Sequence, residues 1–374
     1  MPRLPSPAHA ALCLGLLLAP LLSCKGKGGP IEIALVLPLE YPGVAPMVRG
    51  AELAVEEINA AGGIGGRRLM LTNHDDFGDP DSAVRVASII VASSAVAVIG
   101  SAYSGTTIAA AAIFNGADPI VQLSPSASSP AVTEAGNWTF RVCASDLAYG
   151  AALARWAYDT LHLERAAILY VNDEYGRGVR RTFSNEFSRL GGGVVESDPF
   201  LAEQPVVGPY LQRIRQEHDA QVLIVAANQA EGLPVLREIR KSGLGLPVLG
   251  SDGLVGIEAE GAVAEGLYVS TGYLVDSDTP ANRSFVAAYT RRYPTVGLPD
   301  QGAAASYDAV RLLAVVFERV GDDRTLVRAA LAQVGLSTPG FGGAAGEVAF
   351  DEHGDVPRHP VQIGIVRGGR LVPP

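Results

Sequence analysis

Small and hydroxyl-bearing residues follow an apolar run in the stretch Val98–Thr107, VIGSAYSGTT. The apolar run predicts a strand and the alanine-rich IAAAAIF after it predicts a helix, so Ser104, Gly105 and Thr106 fall where the helix begins. A helix start offers backbone N–H groups without intrahelical partners and a partial positive charge, to which the hydroxyls add further donors. The stretch therefore predicts a site for a small anion such as a carboxylate. Simple capping of the helix is the alternative.

A second hydroxyl-rich loop, LSPSASSP at 123–130, also follows a predicted strand. We expect this loop to complete the grip on a carboxylate; simple helix capping is again the alternative. An amino acid also carries an ammonium group, which needs an acidic partner, and Asp252 in VLGSDGL follows a later predicted strand. Tyr175 in VNDEYGRG lies at the same end of another strand. A turn aspartate and a structural tyrosine are the alternatives at these two positions.

The sequence contains no complete catalytic or metal-binding motif. Gly100 and Gly105 fit the outline of a phosphate loop, but Thr106 stands where that motif requires lysine. Ser104 lacks the flanking glycines that a nucleophile elbow needs. The six histidines are scattered, and the acidic NHDDFGDPD lacks the spacing of a calcium loop, so we interpret it as a polar turn before a helix. We expect a binding protein without cofactor or metal; an enzyme is the less favoured alternative.

Composition and length restrict the class of protein. The 374 residues carry a formal net charge of −10, which argues against a nucleic-acid ligand because such binders need a basic face. Hydrophobic residues make up 48% of the chain and charged residues 18%, as in a globular protein with a substantial core. The length favours two domains.

The N-terminus has the character of a secretory leader. Residues 1–23 combine a weakly basic start with an apolar stretch that is short for a membrane span. The Leu-Leu-Ser-Cys that ends at Cys24 resembles the lipobox of bacterial lipoproteins, which implies cleavage before Cys24 and a lipid anchor on its thiol. Residues 24–30 would then form a flexible tether. An ordinary leader with a chance cysteine is the alternative. Cys143, left alone in the mature chain, is expected to be buried and unpaired.

Strand-like and helix-like segments alternate twice along the chain. Apolar runs such as IEIALVL, AVAVIG and PIVQL alternate with helical patterns, and the alternation restarts with AAILYV, VLIVAA and LPVLG. Continuous apolar strands separated by helices predict parallel sheets that are covered on both faces. We expect an α/β fold of two doubly wound parallel-sheet lobes, with a ligand between the carboxyl ends of the two sheets.

Together these motifs resemble the bacterial branched-chain amino-acid-binding proteins, which are substrate-binding proteins of ABC importers. The resemblance covers nearly the whole chain after the leader, from Ile31 to Val366. It rests on the order of INAAGGIGGRRLMLTNHDD, AVIGSAYSGTT, LSPSASSP, DEYGRG, LREIRKSGLGLPVLGSDGL and SYDAVRLL. It implies the type I periplasmic-binding-protein fold, in which three crossovers join the lobes; here they would lie near residues 143, 272 and 358.

The resemblance also implies limits for the two lobes. The N-terminal lobe would take residues 31–143 and 273–357. The C-terminal lobe would take residues 144–272 and 358–374.

In the N-terminal lobe the resemblance implies roles for the two hydroxyl-rich loops. Ser104 would hold the ligand carboxylate, with Gly105 and Thr106 beside it at the same helix start. The backbone carbonyl of Ser126 would accept from the ligand ammonium. The hydroxyl of Ser128, where the family usually has threonine, would donate to the carboxylate.

In the C-terminal lobe Tyr175 would close over the ligand and Asp252 would pair with the ammonium, where the family has a glutamate. Asn228 would line the pocket at a position that is aromatic in the family, and Tyr41 of the N-terminal lobe is a further lining residue. Another aromatic position of the family falls at Gln301–Gly302. The resemblance therefore implies a pocket that is more polar or larger than one for leucine.

The function implied is that of an extracytoplasmic solute-binding lipoprotein. It would capture an amino acid or related small carboxylate between its lobes and deliver it to an ABC permease. We expect a monomer in the periplasm or at the cell surface, held to the membrane by a lipid on Cys24. The alternative is a ligand-sensing domain of a signalling system with the same fold.

Overall fold

The computed structural model describes Met1, residues 28–216 and residues 219–374. The predicted leader, Cys24 and most of the predicted tether lie outside these ranges. Within them, none of the helices has both the length and the apolar character required to span a bilayer.

Five parallel strands form the first sheet, in the order β2-β1-β3-β4-β5. They are β1 (Ile31–Leu37), β2 (Leu69–Asp75), β3 (Ala95–Gly100), β4 (Val121–Ser124) and β5 (Thr139–Arg141). All six residues of β3 are buried, because helices cover both faces of the sheet as the apolar runs predict. The connecting helices are α1 (Ala45–Ala60), α2 (Pro80–Val91) and α3 (Ser104–Phe114).

The acidic turn before α2 has the structural role predicted for it. Asp79 caps α2 by accepting a hydrogen bond from the Ser82 N–H, and Pro80 is the first helical residue. The Asp76 side chain is buried and accepts from the Gly78 N–H.

A second sheet repeats the parallel pattern. Its parallel strands are β6 (Arg165–Val171), β7 (Gly193–Phe200), β8 (Val222–Ala226), β9 (Val248–Gly250) and β10 (Tyr268–Thr271). Four helices belong to this part of the chain: α4 (Asp146–Arg155), α5 (Glu174–Leu190), α6 (Gly208–Gln216) and α7 (Gln229–Ser242). Helix α4 continues as a π-helical turn over Trp156–Thr160.

The chain then returns to the first sheet. Helices α8 (Pro280–Arg292), α9 (Gln301–Val320) and α10 (Arg324–Leu331) follow, and their apolar residues share one core with β1 and β3. A short antiparallel ladder of β11 (Phe341–Gly342) and β12 (Glu347–Val348) follows. Gly50 of α1 allows α9 to lie very close, since a Cβ there would stand 2.0 Å from the Ala303 carbonyl oxygen.

The last two strands complete the second sheet. β13 (Gln362–Arg367) pairs with β10 and β14 (Arg370–Val372) pairs with β13, both antiparallel, which gives the order β14-β13-β10-β9-β8-β6-β7. The fold is thus two α/β lobes with parallel sheets, as predicted, plus an antiparallel edge that the alternation of segments did not predict. The chain crosses between the lobes three times. It leaves the first sheet after β5, returns to it after β10, and enters the second sheet again before β13. The residue limits proposed for the lobes remain a prediction.

Candidate ligand-binding cleft

A cavity of about 680 Å³, counting its opening to solvent, lies between the two lobes at the carboxyl ends of their strands. Its lining residues are Gly43, Val44, Met47, Ala102, Tyr103, Ser104, Ser126, Tyr175, Asn228, Gln229, Asp252, Gly253, Val255, Asp300, Gln301 and Gly302. Five of the predicted site residues are thereby brought together: Ser104, Ser126, Tyr175, Asn228 and Asp252.

The N-terminus of α3 faces this cavity without a side-chain cap. Tyr103 occupies the N-cap position and its side chain makes no capping hydrogen bond. Ser104 is buried, and its hydroxyl oxygen accepts from the Ser129 N–H at 3.1 Å, which ties α3 to the second hydroxyl-rich loop. Because that bond uses the oxygen only as an acceptor, the hydroxyl proton stays free to donate to a ligand.

Arg141 holds the second loop in place. Its fully buried guanidinium donates to the carbonyls of Ser128 at 3.0 Å and Ser129 at 2.8 Å and forms an ion pair with Asp355 at 2.7 Å. The Ser126 hydroxyl donates to the Ala102 carbonyl at 2.7 Å. Within the residues that the structure describes, no donor meets the Ser126 carbonyl, so this oxygen is available as an acceptor.

Tyr175 and Asp252 form a buried pair on the opposite side. The Tyr175 hydroxyl lies 2.8 Å from Asp252 Oδ1 and 2.7 Å from Ser251 Oγ, and it accepts from the Gly253 N–H at 2.7 Å. Asp252 is 7% exposed, and burial raises the pKa of its carboxyl to about 7. This carboxyl therefore changes charge readily near neutral pH, and Tyr175 fixes its orientation.

Four predicted site residues are not among those that line the cavity. The Thr106 hydroxyl donates to the Tyr103 carbonyl at 3.0 Å, and Gly105 is its neighbour at the start of α3. Ser128 is fully buried, and its hydroxyl has no hydrogen-bond partner in the described part of the chain. Tyr41 is 40% exposed and packs edge-on against Tyr103, with ring centroids 6.4 Å apart. Their roles toward a ligand remain predictions.

Two polar side chains of the cavity were missed by the sequence analysis. Gln229 is the first residue of α7, and Asp300 caps α9 by accepting from the Ala303 N–H at 2.9 Å. Asp300 precedes a long helical pattern, which is a detectable capping signal. Nothing in that signal shows that the capped helix begins at the cleft.

The charged residues that line the cavity are Asp252 and Asp300; none of its lining residues is Lys, Arg or His. Burial raises the pKa of Asp300 to about 6. No cluster of His, Cys, Asp or Glu that could hold a metal ion occurs among the described residues. The cavity thus offers hydroxyl, amide and carboxylate groups for binding a small polar molecule.

Two α/β lobes around a polar cleft define a solute-binding protein, and sequence comparison agrees. A model of the periplasmic binding protein family matches residues 30–370, so the chain belongs to that family. The resemblance to its branched-chain amino-acid-binding members is confirmed by both sequence and structure. Members of the family are extracytoplasmic substrate-binding proteins of ABC transporters rather than enzymes.

Three similar proteins illustrate the match. Leu/Ile/Val-binding protein homolog 1 of Brucella suis biovar 1 is 27% identical over 353 residues, which cover 91% of this chain and 92% of that protein. The leucine-binding protein LivK of Thermotoga maritima is 26% identical with a TM-score of 0.83, covering 91% of this chain and 97% of that one. A substrate-binding protein of Desulfitobacterium hafniense, solved in complex with Leu, is 27% identical with a TM-score of 0.78, covering 91% and 99%.

Proposed function

We propose that this protein binds a free amino acid in the cleft, with the two ends of the zwitterion held by different lobes. The ligand carboxylate accepts from the uncapped start of α3 and from the Ser104 hydroxyl. The ligand ammonium donates to the Ser126 carbonyl and to Asp252. The observation that carries the proposal is the convergence of an uncapped helix start and a buried carboxylate, one from each lobe, on one cavity.

Binding in this arrangement favours closure of the lobes. A ligand that touches both lobes has its full set of contacts only when they are together, so it shifts the population toward the closed form. In our proposal residues 31–143 with 273–357 and residues 144–272 with 358–374 move as rigid bodies about the three crossovers. The relatives named above bind or are named for aliphatic amino acids, which supports the same head group here.

A thermal-shift screen of the purified protein against amino acids and small carboxylates tests this function. A ligand at one hundred times its Kd stabilises the native state by about 2.7 kcal/mol, which is a measurable rise in Tm. Ser104→Ala and Asp252→Ala should each abolish most of that rise. Failure of every amino acid to raise the Tm, or an undiminished rise in both variants, would contradict the proposal.

We further propose that the protein is a lipid-anchored monomer that presents its closed form to an ABC permease. Labelling of cells with radioactive palmitate should mark the wild-type protein, and Cys24→Ser should remove the label. Label on the Cys24→Ser variant, or its absence from the wild type, would contradict the anchor without affecting the ligand site.

A further inference from the structure

The charge of the cleft does not match a neutral amino acid. An amino acid with an uncharged side chain brings one carboxylate and one ammonium to a cavity that already contains Asp252 and Asp300 and is lined by no basic residue. The start of α3 would offset the ligand carboxylate and the ligand ammonium would offset Asp252, which leaves Asp300 with only its capping hydrogen bond from the Ala303 N–H. A buried charge without compensation is costly, so a second positive group on the ligand would be stabilising.

Asp300 also lines a neighbouring cavity that Asp252 does not line. The charged side chains that influence the pKa of Asp300 are Glu258 and Arg49. The charge of Asp252 instead influences the pKa values of Asp146 and Tyr175. The Arg49 guanidinium bonds to the Tyr289 hydroxyl at 3.5 Å, and no ion pair joins Arg49 to Asp300 within residues 28–216 and 219–374. Asp300 is thus a second acidic position, without a direct cationic partner.

One oxygen of Asp300 is free to accept from a ligand. Its Oδ1 accepts from the Ala303 N–H at 2.9 Å, and Oδ2 has no hydrogen bond in the part of the chain that is described. Oδ2 lies near Gly256, since a Cβ on Gly256 would stand 3.6 Å from Oδ2. Asp300 and Gln229 both line the cavity.

Two amide side chains of the cavity lining, Gln301 and Gln229, are already oriented by hydrogen bonds. Gln301 Oε1 accepts from the Thr271 hydroxyl at 2.9 Å and the Gly272 N–H at 2.6 Å. Gln229 Nε2 donates to the Val255 carbonyl, which leaves Gln229 Oε1 as an acceptor near Gly43. A positively charged donor beside Asp300 would meet its free carboxylate oxygen.

We propose that Asp300 forms a subsite for a cationic side-chain end, so that the ligand is an amino acid with a basic side chain. This inference rests on the proposed function, because it places the ligand head group between Ser104 and Asp252. The subsite also opens toward a neighbouring cavity that shares Val255, Asp300 and Gln301, which leaves room beyond the cationic group for longer side chains.

Isosteric ligand pairs test this preference by calorimetric titration of the full-length protein. Ornithine is compared with norleucine, and 2,4-diaminobutyrate with norvaline, because each pair differs only in an ammonium group replacing a methyl group. The basic member of each pair should bind about tenfold tighter or better, since close charge pairs in desolvated sites have couplings of this size.

The variant that removes the charge is Asp300→Asn, because asparagine can still cap α9 through its side-chain oxygen. The preference for ornithine over norleucine should disappear in this variant, and Asp300→Ser, another capping residue, should behave the same way. Asp323→Asn is the matched control: Asp323 caps α10 by accepting from the Leu326 N–H at 2.9 Å, and it lies outside the cavity. It should keep the wild-type preference.

Equal binding within both pairs, or a preference that survives Asp300→Asn and Asp300→Ser, would overturn the cationic subsite and leave the amino-acid function standing. If neither member of either pair binds, and no amino acid in the wider screen does, the proposed function fails and this inference fails with it. Loss of the preference in Asp323→Asn as well would also overturn the assignment to Asp300.

Discussion

Asp252 shows how one buried side chain can control ligand affinity. Its carboxyl is enclosed near the Tyr175 hydroxyl, and burial raises its pKa to about 7. Asp146 lies nearby, and burial together with the charge of Asp252 raises the pKa of Asp146 well above its usual range. Without a ligand, the Asp252 and Asp146 carboxyls therefore tend to stay protonated. A bound ammonium group would favour their ionised form and cause proton release, because an adjacent cation stabilises a carboxylate.

The affinity for an amino acid with an uncharged side chain should accordingly rise with pH. Below about pH 7 the free protein carries a proton on Asp252 that the complex lacks, so affinity should increase by up to roughly tenfold per pH unit and level off above that pH. Calorimetric titration in buffers of different ionisation enthalpy measures both the affinity and the proton released. Asp252→Asn should bind more weakly and lose the slope; a variant with the wild-type slope would rule out Asp252 as the titrating group.

Ser104 should contribute through a single hydrogen bond. Ser104→Ala removes the donor to the ligand carboxylate and should weaken binding by about tenfold or more, the usual size for a bond to a charged group. Ser242→Ala is the control, since that hydroxyl donates to the Ile239 carbonyl at 2.7 Å and Ser242 does not line the cavity. Equal affinities for the two variants would contradict the role given to Ser104.

Residue types and spacing were enough to predict much of this site. Ser104, Asp252 and the loop that contains Ser126 were all found as polar positions that follow apolar strands, because that position in an α/β fold faces the ligand. Gln229 and Asp300 were missed because their helices reach the cleft only through the packing of the two lobes. Local sequence pattern cannot show such packing.

At the scale of elements, the helices that lack side-chain caps begin at the cleft. Within the described part of the chain, α1, α3 and α7 start without a capping side-chain hydrogen bond, and the residues before them, Val44, Tyr103 and Asn228, all line the cavity. By contrast α2, α4, α5, α8, α9 and α10 each have a capping side chain. The starts of α3 and α7 thus offer N–H groups at the cleft, where a ligand anion would bind, whereas the Ala45 N–H at the start of α1 already donates to the Pro42 carbonyl.

An artificial cap on α3 should compete with the ligand. In Tyr103→Asp the new carboxylate would accept from the first N–H groups of α3 and repel the ligand carboxylate, so binding should be lost. Tyr103→Ala removes the same ring without adding a cap and should retain measurable binding in calorimetric titration. Equal loss in both variants would mean that the ring, and not the free helix start, matters for the ligand.

The alternation of strand-like and helix-like segments predicted which helices and strands form better than it predicted the direction of the strands in each sheet. The start of α3 and the cap of α2 follow from local signals in the sequence and are confirmed. The antiparallel pairing of β13 and β14 did not follow, because the direction of a strand depends on where the chain re-enters the second sheet. The point of re-entry is set by the crossovers between the lobes, and the hydrophobic periodicity of the sequence carries no signal for it.

At the scale of the whole molecule, the lobes touch directly at Gly178. This residue of α5 faces Ser129 and Pro130 of the first lobe, and a Cβ there would stand 3.3 Å from Pro130 Cδ and 3.4 Å from Ser129 Oγ, as well as 2.9 Å from Asp146 Oδ2 of its own lobe. Asp146, at the start of α4, adds a link by donating its N–H to the Ser128 carbonyl at 2.8 Å. The small residue allows the lobes to approach each other next to the cleft.

A larger side chain at this contact should hold the lobes apart. Gly178→Val should weaken amino-acid binding by about tenfold or more, because affinity is reduced when the closed form is less populated. Small-angle scattering should show no compaction on adding ligand. Gly193→Val, whose Cβ would meet no atom within 4 Å, is the control and should close normally. Normal affinity in Gly178→Val would show that this contact does not limit closure.

The central claim is that both ends of a zwitterion are held, one by each lobe. Calorimetric titration with the tightest-binding amino acid, with the amine that lacks its carboxylate and with the acid that lacks its ammonium tests this claim most directly. We predict that each truncated ligand binds at least about tenfold more weakly, since each loses a charge-assisted set of hydrogen bonds. Either truncated ligand binding as tightly as the intact amino acid would contradict the account.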